Sequence, residues 1–120
     1  MATALVLVVD DHADFRRWAR RILEAAGFKV VEAASGVDAL AAVGEFRPDA
    51  VLLDIQLPDL DGFAVAGRLA DDGDKATVVL TSTREASDYG ARIADSPVAG
   101  FLPKTELSGV ALRRLLAAAP

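Results

Sequence analysis

The segment VLLDIQLPDLDG, residues 51–62, changes from a buried strand to a turn within a few residues. Residues 51–53 are apolar and form the strand, and the acidic residue Asp54 follows them directly. Pro58 and Gly62 interrupt the regular structure soon afterwards, because proline restricts the backbone and glycine relaxes it. The segment contains further acids and no cationic side chain. A core strand that ends in this way raises the question of what binds its carboxylate.

The composition is that of one folded domain. The chain has 120 residues, of which 52% are apolar, and this is enough to bury a sizeable core. It contains no cysteine, which excludes disulfides and thiolate metal sites. The formal net charge of −5 argues against direct nucleic-acid binding by this domain.

The sequence carries no pattern typical of membrane insertion or secretion. Its longest apolar run, residues 4–9, is far too short to cross a bilayer. The first residues lack the basic region and cleavage site of a signal peptide. We therefore expect a cytoplasmic chain without membrane contact.

Five apolar runs alternate with segments of helical periodicity. The runs are rich in Val and Leu and show little polar alternation, which is typical of strands covered on both faces. They lie at residues 4–9, 28–31, 50–53, 78–80 and 98–102. Helices are predicted at 14–26, after the N-cap Ser35, and at 62–71, 85–94 and 107–118. This order predicts an α/β fold, with a single doubly wound five-stranded parallel sheet and five helices.

Details of three helices add further expectations. The fourth helix contains Gly90 and few large apolar residues, so we expect a mobile element. Periodicity assigns Val37 of the second helix and Val110 of the last helix to buried faces.

The first helix carries four arginines that we expect to form one outward-facing basic strip, with Trp18 within it: Arg16, Arg17, Arg20 and Arg21. Such a strip is more often a solvated face. The alternative is a docking surface for a kinase, which an exposed Trp18 would favour, since aromatic and arginine residues anchor interfaces.

Polar residues follow four of the predicted strands. Asp10 and Asp11 end the first strand, Asp54 the third and Thr81 the fourth, and Lys104 follows the fifth. In an open α/β sheet, ligands bind beyond the carboxyl ends of the strands. Neighbouring carboxylates repel one another, and a divalent cation relieves that repulsion. Because the available ligands are oxygen atoms, Mg²⁺ is the expected metal.

This set of residues suits phosphoryl transfer to a carboxylate. A rigid strand would hold Asp54 in line for attack on phosphorus, and aspartate is a known covalent nucleophile. Mg²⁺ and Lys104 would supply positive charge, and the Thr81 hydroxyl could donate to a phosphoryl oxygen. Each residue alone is more often a turn residue, a helix cap or a solvated side chain. Their occurrence at one end of four strands favours a shared site.

The chain resembles the receiver domain of two-component response regulators over essentially its whole length. The matching motifs are VLVVDDH (6–12), VLLDIQLPDLDG (51–62), VVLTS (78–82) and GFLPK (100–104), in the order found in that family. The resemblance implies a flavodoxin-like sheet of strand order 2-1-3-4-5. It also implies that residues 1–120 form one receiver, or phosphoacceptor, domain.

The resemblance further implies a role for each site residue. Asp54 would be the phosphoacceptor and a Mg²⁺ ligand, Asp11 the more direct metal ligand, and Asp10 its acidic partner. The backbone carbonyl of Gln56 would be the main-chain ligand.

Three further residues receive roles from the same resemblance. Thr81 and Lys104 would bind the phosphoryl group, and Phe101 would be the aromatic switch residue that rotates as Thr81 moves. Lys104 is followed by Thr105, where the family often has proline, and Ser82 replaces a common alanine. Gln56 and Thr83 occupy variable positions that would tune the lifetime of the phosphorylated state.

The implied function is a phosphorylation-dependent switch. A histidine kinase or a histidine phosphotransfer protein would donate the phosphoryl group, and the domain would catalyse its transfer to Asp54 and its later hydrolysis, without a separate turnover substrate. An output domain or a downstream protein would respond to the altered surface. Whether the receiver acts alone or within a longer regulator stays open.

Three other functions compete with this one. A haloacid-dehalogenase-like phosphohydrolase would place an Asp-x-Asp arrangement after the first strand, and Asp10 and Asp11 are adjacent instead. A flavin or nucleotide carrier would need a glycine- or hydroxyl-rich phosphate loop, and residues 10–14 read DDHAD. A receiver-like interaction module that signals without phosphorylation remains the alternative.

Overall fold

A five-stranded sheet forms the centre of the structure, a computed structural model that describes residues 3–118. All strand pairs are parallel, and the order is β2-β1-β3-β4-β5. The strands are β1 (Leu5–Val9), β2 (Lys29–Ala33), β3 (Ala50–Asp54), β4 (Thr77–Ser82) and β5 (Gly100–Pro103). The predicted fold class and strand order are therefore confirmed.

Four α-helices and a 3₁₀ segment connect and follow the strands. The helices are α1 (Ala13–Ala25), α2 (Gly36–Phe46), α3 (Gly62–Asp71) and α4 (Gly109–Ala118), the 3₁₀ segment is Ala86–Arg92, and a short 3₁₀ turn covers Lys104–Glu106. Side-chain caps define three helix starts, since Ser35 accepts a hydrogen bond from the Asp38 N–H, Asp61 from the Ala64 N–H and Ser108 from the Ala111 N–H. Within residues 3–118, no helix is long and apolar enough to span a bilayer.

The sheet separates two hydrophobic cores. Leu7 and Val9 of β1 pack with α2 and α3 on one face, whereas Val6 and Val8 pack with α1 and α4 on the other. Successive strand residues point to opposite faces, so a strand between two helical layers is apolar at every position. This explains why the central runs show no polar alternation.

The predicted fourth helix is not an α-helix. The segment Ala86–Arg92 is 3₁₀, contains no buried residue, and is broken at Gly90, which has φ 57° and ψ −132°. Because glycine lacks Cβ, it adopts this positive φ readily and interrupts the hydrogen-bond ladder. The glycine and the scarcity of large apolar residues noted in the sequence thus coincide with a 3₁₀ segment in place of an α-helix.

Two apolar residues lie on faces opposite to those predicted. Val37 and Val110 are each 60% exposed, although periodicity assigned both to buried faces. The buried residues of α2 are instead Gly36, Ala39, Ala42 and Val43. A Cβ at Gly36 would meet Leu60 and Val65, so close contact with α3 and the loop before it outweighs side-chain size in setting the buried face of α2.

The four arginines of α1 do not form one solvated strip. Arg16 Nε lies 3.1 Å from Glu32 Oε1, and Arg20 Nε lies 2.7 Å from Glu32 Oε2. Arg20 also donates to the Val30 carbonyl at 3.0 Å. These two arginines attach α1 to the edge strand β2, while Arg17 and Arg21 are exposed.

Gly62 allows α3 to begin directly beneath the end of β3. A Cβ at this position would lie 2.6 Å from the Asp54 carbonyl oxygen and 2.8 Å from Ile55 Cα. Its N–H also donates to the Ile55 carbonyl at 2.8 Å. Because both obstructing atoms belong to the backbone, the contact has no flexible side chain that could move aside.

Gly62→Ala is expected to lower the free energy of unfolding by about 1–3 kcal/mol or more, the usual cost of overpacking. Gly67→Ala is the matched control in the same helix, because a Cβ added there would meet no atom within 4 Å. That control should raise the free energy of unfolding by about 0.5–1 kcal/mol, since alanine is the better helix former. Urea unfolding measures both, and equal effects of the two variants would contradict the close approach at Gly62.

Candidate functional site

The carboxyl ends of β1 and β3 bring four potential metal-ligating side chains together. One ligand atom from each of Asp10, Asp11, His12 and Asp54 lies within 4.8 Å of the others. Asp10 follows β1, and Asp54 is the last residue of β3. Because β1 and β3 are neighbours in the sheet, their ends place residues distant in sequence side by side.

Lys104 joins the two buried carboxylates of this cluster. Its Nζ lies 2.5 Å from Asp10 Oδ2 and 3.2 Å from Asp54 Oδ2. Both carboxylates are almost completely buried, and the lysine side chain is 11% exposed. The ammonium also lies 4.6 Å from the centre of the Phe15 ring, a distance suited to a cation–π interaction. One cation is thus shared between two acids.

The remaining carboxylate oxygens accept backbone hydrogen bonds. The Gln56 N–H donates to Asp54 Oδ1 at 3.0 Å, and the His12 N–H donates to Asp10 Oδ1 at 2.8 Å. His12 Nδ1 lies 2.9 Å from Asp10 Oδ1 and 3.2 Å from Asp11 Oδ1. These contacts orient the buried acids, whereas Asp11 and His12 are exposed to solvent.

Burial and charge shift the pKa values of the two buried acids in opposite directions. Burial raises the pKa of Asp54, and the nearby Asp10 adds to this rise, so that they outweigh the Gln56 N–H and Lys104. Burial also acts to raise the pKa of Asp10, but Lys104 and the His12 N–H outweigh it and hold that pKa below its ordinary value. Asp10 is therefore the better stabilised anion of the two.

Lys104 remains charged despite its position. Burial would lower its pKa, but the hydrogen bond to Asp10 and the negative charges of Asp54 and Asp10 raise the pKa above its ordinary value. The site consequently keeps a fixed positive charge beside Asp54.

Thr81 provides an uncommitted polar atom at the end of β4. It is the cross-strand partner of Asp54 in the β3–β4 pair, and its side chain is almost completely buried. Among the described residues, Thr81 Oγ1 is a buried side-chain oxygen without a hydrogen-bond partner. Such a group is costly unless it binds something, so it fits a ligand oxygen beside Asp54.

The donor set fits a hard divalent cation. Asp10, Asp11 and Asp54 offer carboxylate oxygens, which are the ligands that Mg²⁺ prefers, and Asp11 leaves the group open to water. One lysine neutralises only part of the charge of these three acids. Gln56, which would offer its carbonyl, is held beside them through its N–H bond to Asp54.

The structure does not bring every predicted residue into this cluster. Phe101 lies in β5 and packs against Tyr89, with 6.1 Å between the ring centres, away from the carboxylates. Tyr89 itself was not singled out from the sequence, although its hydroxyl lies 2.6 Å from the Ser82 hydroxyl. A tyrosine in a segment of poor helical periodicity gives no signal for such a contact. The residues around Lys104 contain no cis peptide bond.

Sequence comparison identifies relatives over nearly the whole chain. The profile of the response regulator receiver domain family matches residues 6–117. Response regulator MprA of Mycobacterium sp. strain KMS is 37% identical over 112 residues, which are 93% of this chain and 47% of the relative. MprA of Mycobacterium avium strain 104 is 36% identical over the same shares. The chain thus spans about half the length of these curated relatives.

Solved structures agree with the family match. The receiver domain of the putative response regulator NarL from Mycobacterium tuberculosis is 30% identical with a TM-score of 0.83, covering 96% of this chain and 98% of that one. The chemotaxis protein CheY4 of Vibrio cholerae is 25% identical with a TM-score of 0.86, covering 98% and 100%. With its motifs, sheet order and carboxylate cluster in agreement, the chain belongs to the response regulator receiver domain family.

Proposed function

We propose that this domain is a phosphorylation-dependent signalling switch that accepts a phosphoryl group on Asp54. The observation that carries the proposal is the shared ion pair, in which Lys104 lies beside Asp54 and Asp10. A carboxylate at the end of a rigid strand is positioned for nucleophilic attack, and a fixed cation beside it neutralises charge that develops on a transferring phosphoryl group.

The proposed transfer exchanges one bond to phosphorus for another. An Asp54 carboxylate oxygen forms a bond to phosphorus as the bond between phosphorus and the donor's histidine nitrogen breaks, and that nitrogen retains the electron pair. Lys104 and the Thr81 hydroxyl would then hold the phosphoryl oxygens. Hydrolysis by water returns Asp54 to its carboxylate and releases inorganic phosphate.

Asp10, Asp11, Asp54 and the Gln56 carbonyl would hold Mg²⁺. When bound, Mg²⁺ supplies positive charge that offsets the phosphoryl oxygens. The chain's own contribution is to fix Asp54 through the Gln56 N–H and to keep Lys104 charged beside it. Phe101 and Thr81 would be the switch residues that report the phosphorylated state.

The partners follow from the same proposal. A histidine kinase or histidine phosphotransfer protein donates the phosphoryl group, and an output domain or downstream protein reads the result, within the cytoplasm. Trp18 is 43% exposed and its ring lies 5.7 Å from that of Phe15, close to Lys104. The exposed tryptophan beside the half-buried Phe15 supports docking of the donor against α1.

Asp54→Asn is expected to abolish phosphorylation, because the amide cannot form the acyl phosphate. Intact-mass analysis after incubation with acetyl phosphate, with and without Mg²⁺, measures the adduct. The wild type should gain one phosphoryl group only with Mg²⁺, and the exposed Asp71→Asn variant, the matched control, should behave identically. A folded, Mg²⁺-binding wild type that gains no adduct even from its kinase would instead support an interaction module.

Asp11→Asn is expected to weaken Mg²⁺ binding by about tenfold or more. The substitution removes a carboxylate that faces both the cluster and solvent, and it leaves the buried pair intact. Titration calorimetry measures the affinity, and Asp14→Asn, in the first turn of α1, is the control. Unchanged affinity in the Asp11 variant would exclude Asp11 as a ligand.

Asp54→Asn is also expected to raise the free energy of unfolding in metal-free buffer at neutral pH. Because burial raises the pKa of Asp54, the folded state binds its proton more tightly than the unfolded chain does. Ionisation of Asp54 therefore lowers the free energy of unfolding as the pH rises from the pKa of this residue in the unfolded chain to its pKa in the folded protein. The loss is complete above the pKa of the folded protein. Urea unfolding in the presence of a chelator should give the Asp54→Asn variant a higher free energy of unfolding than the wild type, and the difference should shrink toward acidic pH. A variant that is less stable than the wild type at neutral pH would contradict this.

A further inference from the structure

A hydrogen bond outside the carboxylate cluster connects the 3₁₀ segment to the end of β4. Ser82 Oγ and Tyr89 Oη lie 2.6 Å apart, and Ser82 Oγ also accepts a hydrogen bond from the Arg84 N–H at 3.0 Å. Ser82 is completely buried and directly follows Thr81. The bond is therefore one residue away from Thr81, which pairs with Asp54 on the adjacent strand β3.

The Tyr89 ring lies between two other elements. Its centre is 5.9 Å from that of Phe63 in α3, in an edge-to-face arrangement, and 6.1 Å from that of Phe101 in β5. Such aromatic pairs add stabilisation beyond their buried area. Tyr89 thus contacts α3 and the predicted switch residue Phe101 while its hydroxyl binds β4.

The 3₁₀ segment has few other attachments. None of its residues is buried, and Gly90 interrupts its helical geometry. Arg92 contacts Asp61 at 3.4 Å and the Phe63 ring at 4.2 Å, but this arginine is exposed, and such ion pairs contribute little. Within residues 3–118, the Ser82–Tyr89 bond is the side-chain hydrogen bond that joins this segment to a strand.

We propose that the Ser82–Tyr89 hydrogen bond is a latch that holds the 3₁₀ segment and the end of β4 in the resting conformation. Tyr89 is then a positioning residue that acts through Ser82. The backbone here pairs with β3 and β5, but Thr81 Oγ1 has no hydrogen-bond partner, so the latch is the side-chain hydrogen bond that joins this end of β4 to the 3₁₀ segment. Movement of Thr81 toward a phosphoryl group shifts the Ser82 backbone and works against the latch.

The consequence for phosphorylation rests on the proposed function. If the reactive conformation requires an open latch, its population in the resting protein is reduced by the strength of the bond. Breaking the latch raises that population and accelerates phosphoryl uptake. One ordinary hydrogen bond corresponds to a factor of about five in such an equilibrium.

Two variants test the latch from its two sides. Tyr89→Phe removes the hydroxyl and keeps the ring that packs against Phe63 and Phe101, whereas Ser82→Ala removes the partner. Hydrogen-exchange mass spectrometry of the unphosphorylated proteins should show exchange at residues 84–92 about fivefold faster in each variant. The double variant should resemble the single variants, because both changes remove the same bond.

Phosphorylation kinetics supply the second readout. With acetyl phosphate and saturating Mg²⁺, both variants should take up the phosphoryl group about fivefold faster than the wild type. Ser35→Ala is the matched control, because it also removes a hydroxyl hydrogen bond, at the N-cap of α2. It should lower overall stability and leave the uptake rate unchanged.

Each outcome decides the proposal. Unchanged exchange at residues 84–92 in Tyr89→Phe, or strictly additive effects in the double variant, would overturn the latch. Faster exchange with an unchanged or slower uptake rate would overturn its coupling to phosphorylation. If the wild type accepts no phosphoryl group, the proposed function fails, and the exchange measurements alone then decide whether the latch exists.

Discussion

The arrangement of the site depends on one lysine that is shared between two buried carboxylates. Asp10 and Asp54 have almost no solvent access, and Lys104 lies within 3.2 Å of both. An isolated buried charge costs several kcal/mol even after relaxation, and this cation and the backbone N–H groups offset part of that cost for both anions. Two acids and one base leave an excess negative charge, which makes the site receptive to a further cation.

The fold satisfies this requirement through topology. Parallel strands end at one edge, and the order β2-β1-β3-β4-β5 places the ends of β1, β3 and β4 next to one another. The two apolar layers fix the positions of the strands, and the polar residues at the strand ends are therefore held at fixed distances from one another. Gly62 lets α3 begin against the Asp54 backbone, which shortens the loop that follows the acid.

The parts of the structure that sequence predicts are those with a strong local or motif signal. The strands and the convergence of Asp10, Asp54, Thr81 and Lys104 follow from apolar runs and from the rule that parallel strands share one edge. The positions of Val37 and Val110 do not follow, because the neighbouring glycines, Gly36 and Gly109, make close contacts with other parts of the chain and change the buried face of each helix. The Ser82–Tyr89 bond depends on the path of an irregular segment, which side-chain periodicity does not encode. The roles assigned to the site residues remain proposals, since they depend on ligands.

Arg16 has a consequence for how the two sides of the site respond to a ligand. Its Nη1 donates to the Asp10 carbonyl at 2.7 Å while its Nε binds Glu32 of β2, so the end of β1 is braced by α1 and by the sheet edge together. The opposite side, where β4 meets the 3₁₀ segment, has no comparable ionic brace among the described residues. The β1 side of the site, which carries Asp10 and Asp11, is therefore held by more side-chain ion pairs than the β4 side, which carries Thr81.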